Sequence, residues 1–171
     1  KHYFFKLKNF SDKISQYLND NKNLQKDVKK YVQNWIKDGL TDWDITRDIS
    51  WGIPIPDGGA NQKVFYGWFD NHLAYISSTI KFLNDNGKDG KKFWNESDIY
   101  HFIGKDIVYH HYLFLPAMRL GIEEEYKLPD YIPTRGHLTL QSKKISKSRN
   151  WYIGLKDFLK IFPSDYLRFY L

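Results

Sequence analysis

A basic, hydroxyl-rich octapeptide near the end of the chain offers the most specific chemistry in the sequence. Residues 143–150 carry Lys-Lys-Ile-Ser-Lys-Ser-Arg-Asn and follow a predicted strand directly, as a mobile-looking loop. Such a loop could fold over a triphosphate, because its lysines would neutralise the charge that builds on a leaving pyrophosphate when an α-phosphate is attacked. For an arbitrary run of lysine and serine, a solvated loop is the commoner explanation. The octapeptide therefore needs support from residues elsewhere in the chain.

That support comes from the elements that would position it. Short apolar runs predict three buried strands, and amphipathic spacing predicts a helix after each of the first two. The strands are expected at 64–69, 99–103 and within 131–140, and the helices at 71–83 and 105–120, the latter kinked at Pro116. This alternation is typical of a parallel sheet covered on both faces, where ligands bind outside the carboxyl ends of the strands. Those ends are expected near 68–70, 104–106 and 136–140, and polar candidate residues occur at the same three places.

The rest of the chain is predicted to be helical or irregular. Two helices are expected within 11–38, the first capped by Ser11 and the second followed by Gly39 at its C-terminus. Their inward faces are expected to hold Ile14, Tyr17, Leu18, Val28, Tyr31, Val32, Trp35 and Ile36. Irregular connections are predicted at 40–56 and 84–97, with a turn at 57–59. Two short helices near 155–161 and 164–170 complete the expected pattern.

Composition narrows the classes of function. The 171 residues carry a net charge of +6, which suits an anionic partner such as ATP or RNA, although from charge alone a lysine-rich solvated surface is the favoured explanation. With no cysteine, the chain can form neither a disulfide nor a thiolate metal site. The longest apolar stretch, 107–120, is interrupted by His110, His111, Pro116 and Arg119, so no segment is expected to span a bilayer. No P-loop, GxGxxG or HExxH motif is present.

Five blocks of sequence together resemble one family. Residues 144–148, KISKS, resemble the KMSKS loop of class I aminoacyl-tRNA synthetases. Residues 40–48, LTDWDITRD, and 65–70, FYGWFD, resemble the DWDISRD and FYVWLD stretches of methionyl-tRNA synthetases. Residues 99–118 follow the pattern LYHFIGKDIVYFH..LFWPAM, and 164–170 are similar to ADALRYY. The blocks occur in the family's order and spacing and cover nearly the whole chain.

The resemblance implies roles for individual residues. Gly104 and Asp106 would hold the ATP ribose, and Gly136, Lys144, Ser146 and Lys147 would complete the ATP site, with Lys144 and Lys147 acting on the triphosphate. The methionine pocket would be lined by Trp68, Tyr75, Ile107 and His111, where Tyr75 or His111 could offer a weak donor to the sulfur. Asp44 and Arg47 match family positions without a defined chemical role. ATP, methionine and tRNA are the implied substrates of a cytoplasmic ligase, with Mg²⁺ bound to ATP and no metal site in this segment.

The resemblance also implies a domain organisation, in which half of the active site lies outside this sequence. Residues 1–56 would be the mostly helical tail of a connecting insertion, and 57–171 the second half of a Rossmann-type catalytic domain with the KMSKS-like loop. The family's HIGH-type motif, its carboxylate for the substrate amine and its zinc knuckle lie upstream of this region, and the anticodon-binding domain lies downstream. Because the chain has no initiator Met, we expect a segment of a longer protein. Because half of the family's active site would be missing, we expect that segment to be inactive by itself.

Three departures from the family pattern keep two alternatives open. Asn71-His72 stands where the family usually has Ala-Pro, Arg135 replaces the usual His before Gly136, and Asn150 replaces a Gly. The first alternative is a synthetase-related paralogue that binds RNA or a nucleotide without activating methionine. The second is a synthetase for another amino acid, since the leucyl, isoleucyl and valyl enzymes share the KMSKS loop. For Asn150 we expect the left-handed conformation that glycine would adopt.

Overall fold

The structure is a computed structural model that describes residues 2–56 and 63–170. The turn predicted at 57–59 lies outside the described residues. The chain forms two compact units, one ending at Arg135 and the other beginning at Gly136. No helix in the described part is long and apolar enough to cross a membrane. The predicted division at residues 56 and 57 stays a prediction.

Two helices open the first unit as predicted. Helix α1 spans Ser11–Asp20 and α2 spans Lys26–Asp38, and Gly39 follows α2 with φ 95°. Their apolar faces enter the main core, in which Ile14, Leu18 and Val32 are fully buried. Tyr31 is wrong as an inward residue, since it is 55% exposed with its ring against Trp35. The predicted cap is also wrong, because Phe10 takes the N-cap position of α1 and Ser11 is its first residue.

The segment predicted to be an irregular connector contains two short strands. Strand β1 (Phe4–Phe5) pairs antiparallel with β2 (Trp43–Asp44), and β3 (Thr46–Arg47) pairs antiparallel with β4 (Val64–Phe65). The strand predicted at 64–69 is therefore only two residues long and has no parallel partner among the described residues. Residues 67–70 form helix α3 (Gly67–Asp70) instead, so Trp68 lies on a helix and not at a strand end.

A helical hairpin follows where one helix and a loop were predicted. A 3-10 turn, Asn71–Leu73, leads into α4 (Ala74–Asp85), which confirms the predicted helix, although α4 begins three residues later and ends two residues later than expected. The predicted loop at 84–97 is wrong, since α5 spans Gly90–Glu96 and is capped by the Asp89 carboxylate, which accepts from the Lys92 backbone N–H at 2.9 Å. The polar composition concealed this helix, whose only buried residues are Gly90 and Trp94.

A parallel strand pair carries the predicted ATP-side residues. Strand β5 (Ile103–Gly104) pairs in parallel with β6 (Thr134–Arg135), and a parallel bridge joins Tyr100 to Tyr131. The fold is thus mixed α/β, but the described residues form four two-stranded sheets in place of the predicted continuous parallel sheet. The main core lies beneath this pair, with Ile103, Tyr112 and Ile132 packed beside residues of α1 and α2.

The helix predicted at 105–120 changes its winding twice. It begins as a 3-10 turn, Lys105–Ile107, continues as a π-helical turn, His110–Phe114, and ends as α6 (Leu115–Leu120). Pro116 lies in the first turn of α6 and does not kink a continuous helix as predicted. Because proline donates no backbone N–H, the first turn of a helix accepts it readily. The wide turn places His110 and His111 on the inner side of the unit.

The second unit is a small hairpin followed by two helices. Strands β7 (Thr139–Leu140) and β8 (Lys143–Lys144) pair antiparallel through Gln141 and Ser142, whose φ angles are 50° and 60°. Two successive positive φ angles are typical of the tightest hairpin turn. The chain then forms α7 (Leu155–Leu159) and α8 (Ser164–Tyr170), which confirms both predicted helices.

Candidate functional site

Six ring side chains form one contiguous cluster in the first unit. We call this set the histidine cluster, and its members are Trp68, His72, Tyr75, His101, His110 and His111. The Trp68 ring stacks on His110 with centroids 4.7 Å apart, and His110 lies 5.2 Å from His72. Tyr75 meets His101 edge-on at 4.5 Å. The helical turn at 67–73, α4 and the π-helical turn supply all of these rings except His101, which precedes β5.

The hydrogen bonds of Tyr75 and His111 fix their donor and acceptor roles. His111 Nδ1 lies 3.0 Å from the carbonyl oxygen of Ile107, and that oxygen can only accept. Nδ1 therefore carries the proton, and in the neutral ring Nε2 is the acceptor. The Tyr75 hydroxyl, 3.2 Å from Nε2, must then donate its proton to His111. Both ring nitrogens of His111 and the Tyr75 proton are thus committed within the protein.

Burial keeps the histidine cluster neutral. Loss of solvation lowers the pKa of both His72 and His101 to about 3, and the positive charge of Arg119 acts in the same direction. Burial also lowers the pKa of His110 and His111. Arg119 is 2% exposed, stacks 4.7 Å from Trp94, and has no carboxylate partner in the described part of the chain. At neutral pH each imidazole therefore has one N–H donor and one bare nitrogen.

His72 and His110 differ from the other histidines in having spare hydrogen-bonding capacity. His72 is only 2% exposed and makes no hydrogen bond of good geometry through either ring nitrogen, although the Trp68 backbone lies close enough to act weakly on its pKa, and the buried Nδ1 of His110 has no partner. The family pattern has Pro and Phe at these two positions. Sequence reasoning marked His72 only as an altered wall and gave His110 no place in the pocket. The four-residue step from Trp68 to His72 on a helical turn was the available signal.

The predicted methionine residues are partly brought together by this arrangement. Trp68, Tyr75 and His111 are linked through His72, His110 and the Tyr75–His111 hydrogen bond. Ile107 joins them through its backbone carbonyl, while its side chain packs against the main core. Tyr75 is 42% exposed and His111 only 1%, so the hydroxyl connects a surface residue to a buried one.

Gly104 and Asp106 lie where the first parallel strand gives way to helix. Gly104 ends β5, and Asp106 lies in the 3-10 turn that follows it. A Cβ atom placed on Gly104 would lie 2.5 Å from Asp106 Oδ1, so a side chain at 104 would displace that carboxylate. The glycine thus leaves room for the acidic side chain at the end of the strand, where a ligand of an open α/β fold is expected.

The basic octapeptide begins in β8 and continues into a second hairpin turn, where the sequence predicted a loop. The backbones of Ser146 and Trp151 exchange two hydrogen bonds of 2.9 Å, which close a turn over 147–150. Asn150 has φ 51°, so it adopts the left-handed conformation expected of it. The Trp151 indole N–H donates to the Leu140 carbonyl at 3.1 Å and ties this turn to β7.

The lysines of this hairpin remain available to an anion. Lys144 is exposed on β8 and Lys147 is exposed in the turn, and neither makes an ion pair within residues 2–56 and 63–170. The Ser146 and Ser148 hydroxyls lie 3.1 Å apart beside them. Gly136 begins the second unit, and a Cβ atom there would meet no atom within 4 Å. No group of three or more potential metal ligands occurs among the described residues.

Comparison with known proteins decides the family. The model of the family "tRNA synthetases class I (M)" matches residues 1–171. The chain belongs to the class I methionyl-tRNA synthetase family. It is 46% identical over 172 residues to the methionine–tRNA ligase of Methanopyrus kandleri, covering 99% of this chain and 25% of that protein. It is 47% identical over 173 residues to the methionine–tRNA ligase of Methanocaldococcus jannaschii, covering 100% and 25%.

A solved member of the methionyl-tRNA synthetase family has the same fold over this segment. The crystal structure of Mycobacterium tuberculosis methionyl-tRNA synthetase bound by methionyl-adenylate superposes with a TM-score of 0.81 and 26% identity. The superposition covers 99% of this chain and 32% of the mycobacterial one. The chain spans about a quarter of the length of the curated relatives it matches.

Proposed function

We propose that the full-length protein containing this chain is a methionine–tRNA ligase. It activates methionine with ATP to methionyl-adenylate and pyrophosphate, and then transfers the methionyl group to the 3′ end of tRNA. The observation that carries this proposal is the 46–47% identity to methionine–tRNA ligases along essentially the whole chain. A cytoplasmic location belongs to the same proposal, as in the family that the sequence resembles.

Activation of methionine depends on positioning the two substrates and on stabilising the charge of the leaving pyrophosphate. A carboxylate oxygen of methionine attacks the α-phosphorus of ATP, the bond to the bridging oxygen breaks, and the pyrophosphate leaves with that electron pair. The nucleophile is already ionised, so no side chain need act as a general base. Because negative charge grows on the pyrophosphate, the unpaired amines of Lys144 and Lys147 would stabilise the transition state more than the ground state.

The remaining site residues would hold the two substrates. Gly104 and Asp106 would bind the ATP ribose at the end of β5, and Gly136 and Ser146 would complete the nucleotide site. Trp68, Tyr75, Ile107 and His111 would enclose the methionine side chain. Mg²⁺ would arrive bound to the phosphates of ATP. This chain alone would be inactive, because the family's HIGH-type motif lies outside it.

The lysine role is tested by Lys147→Ala in the full-length protein. We expect adenylate formation to slow by roughly 100-fold, the magnitude typical of losing one transition-state charge contact. Methionine affinity should change little, because Lys147 would touch only the phosphates. The measurement is single-turnover adenylate formation together with equilibrium methionine binding. Lys156→Ala, on α7 of the same unit, removes a charge outside the octapeptide and serves as the control. An unchanged rate in Lys147→Ala would remove the proposed role.

Amino-acid specificity is tested by pyrophosphate exchange with each standard amino acid separately. Exchange with methionine alone would support the methionine assignment and show that the Asn71-His72 wall is tolerated. Exchange with another amino acid would keep the ligase mechanism and overturn the specificity. A folded full-length protein with no exchange at all would favour the non-catalytic paralogue, for which Asn71-His72 and Arg135 are the motivating residues.

A further inference from the structure

The methionine pocket suggested by the family pattern lacks a free donor at its expected polar residues. Tyr75 gives its proton to His111 Nε2 at 3.2 Å, and His111 gives its own to the Ile107 carbonyl at 3.0 Å. A thioether sulfur is a weak hydrogen-bond acceptor, so a free donor is what would distinguish it from a methylene group. In this neutral arrangement neither Tyr75 nor His111 can supply one, which differs from the role that the resemblance implied for them.

Two neighbouring imidazoles, those of His72 and His110, can still donate a hydrogen bond, which Tyr75 and His111 cannot. The Nδ1 of His110 is buried without a hydrogen-bond partner, and both nitrogens of His72 are buried with at most a weak contact to the Trp68 backbone. Buried polar groups in proteins are nearly always satisfied, so unsatisfied ones mark a site where a partner is to be expected. Among the described histidines only these two have such atoms.

Their position ties this capacity to the proposed substrate. The Trp68 ring stacks on His110 at 4.7 Å and lies 5.9 Å from His72. His72 in turn lies 5.7 Å from His111. On the other side both rings face Trp43, at 6.3 and 6.0 Å. The two imidazoles therefore occupy the space between the aromatic residues of the pocket and the core, with no carboxylate near enough to pair with them in the described part of the chain.

We propose that His72 and His110 are specificity-determining residues that donate a hydrogen bond to the acceptor atom of the amino-acid side chain. They select an unbranched side chain with a sulfur or ether oxygen over its all-carbon counterpart. This role rests on the proposed function, and it is particular to a chain that has imidazoles where the family pattern has Pro and Phe. The imidazole ring keeps the aromatic wall that Trp68 stacks on and adds an N–H to it.

The test compares methionine with norleucine, in which a methylene replaces the sulfur. In the full-length protein, kcat/KM for amino-acid-dependent pyrophosphate exchange is measured with each, for the parent and for His72→Leu, His110→Phe and the double variant. We expect the preference for methionine over norleucine to fall roughly tenfold in the double variant, as for the loss of one hydrogen bond. O-methylhomoserine, with an ether oxygen, should lose activity in parallel with methionine.

Two further variants separate recognition from packing. His72→Asn keeps an N–H donor close to the backbone and should restore part of the preference that His72→Leu loses. Tyr112→Phe removes a buried hydroxyl of the main core, outside the histidine cluster, and it should leave the methionine-to-norleucine ratio unchanged. A purely structural role would alter the rates with both amino acids equally and leave their ratio as in the parent.

The outcomes distinguish this inference from the proposed function. If methionine supports exchange and the ratio is unchanged in all variants, the inference is overturned while the ligase assignment stands. If the parent shows no exchange, the ligase assignment fails. Calorimetric titration with the two amino acids then shows whether the pocket distinguishes methionine from norleucine. Tighter binding of methionine than norleucine that is lost in the double variant would support the inference, and equal or absent binding of both would overturn it.

Discussion

At the residue scale, spacing predicted which side chains approach one another but not what each one does. Trp68, Tyr75 and His111 were assigned to one pocket, and the structure links them through shared ring contacts. The direction of the Tyr75–His111 hydrogen bond could not be predicted, because it depends on a backbone carbonyl one helical turn earlier, that of Ile107. The importance of His72 and His110 was likewise hidden, since burial cannot be judged from a single histidine in a sequence.

Neutral buried histidines make the stability of this chain sensitive to acid. His72 and His101 have pKa values of about 3 when folded, against about 6.5 when unfolded. Below pH 6.5 the unfolded state therefore binds more protons than the folded state, and acid favours unfolding. We expect the free energy of unfolding to fall by roughly 1 kcal/mol per histidine per pH unit between pH 6 and 5, before most carboxylates titrate.

Urea titrations at pH 7, 6 and 5 measure this loss directly. The double variant His72→Leu with His101→Phe should show a much flatter dependence over the same interval. Equal stability of the parent chain at pH 7 and pH 5 would contradict the burial of these rings.

At the element scale, the helices with a clear apolar face were predictable and the short strands were not. Ser11–Asp20, Lys26–Asp38 and Ala74–Asp85 were all recognised from apolar spacing. The strands are two residues long, too short for an alternating pattern to be detected, and their pairing depends on distant partners. Helix Gly90–Glu96 was missed because a small residue, Gly90, makes one of its two buried contacts.

The contact at Gly90 gives a sharp prediction for the packing of α4 against α5. A Cβ atom there would lie 2.6 Å from Ile80 Cα and 2.7 Å from its carbonyl oxygen, both backbone atoms. Gly90→Ala should therefore push the helices apart and destabilise the chain by about 1–3 kcal/mol, the usual cost of overpacking. Thermal unfolding followed by circular dichroism measures the change.

Gly67→Ala is the matched control for that substitution. Gly67 also begins a helix, but an added Cβ meets no atom within 4 Å, so stability should be unchanged or rise by about 0.5 kcal/mol. Equal melting temperatures for Gly90→Ala and the parent would show that the two helices do not approach as closely as the structure has them.

At the scale of the whole molecule, family membership was predictable because five sequence blocks kept their order. The exposed apolar surface of the second unit was not predictable from the sequence. The second unit has an apolar groove of about 540 Å³, lined mainly by aliphatic and aromatic side chains such as Leu140, Ile145, Phe158, Phe162 and Tyr166. Phe169 beside it is 95% exposed. Contiguous exposed apolar surface of this kind favours association in water.

Residues 1–171 expressed by themselves should therefore self-associate as concentration rises, despite the net charge of +6. Phe162→Lys places a charge in the groove and should shift the sedimentation velocity profile toward monomer. Phe102→Lys changes an aromatic residue that is 79% exposed in the first unit and should leave association intact. A monomeric parent at all concentrations would show that the groove does not drive association.

The contact between His72 and His110 also constrains how this region can diverge in evolution. Their rings lie 5.2 Å apart, so each is part of the other's surroundings. Replacing only one of them would take from the other its nearest unpaired imidazole and leave His111, whose nitrogens already have partners, beside it. We therefore expect the two positions to change together, so that related sequences carry both histidines or neither.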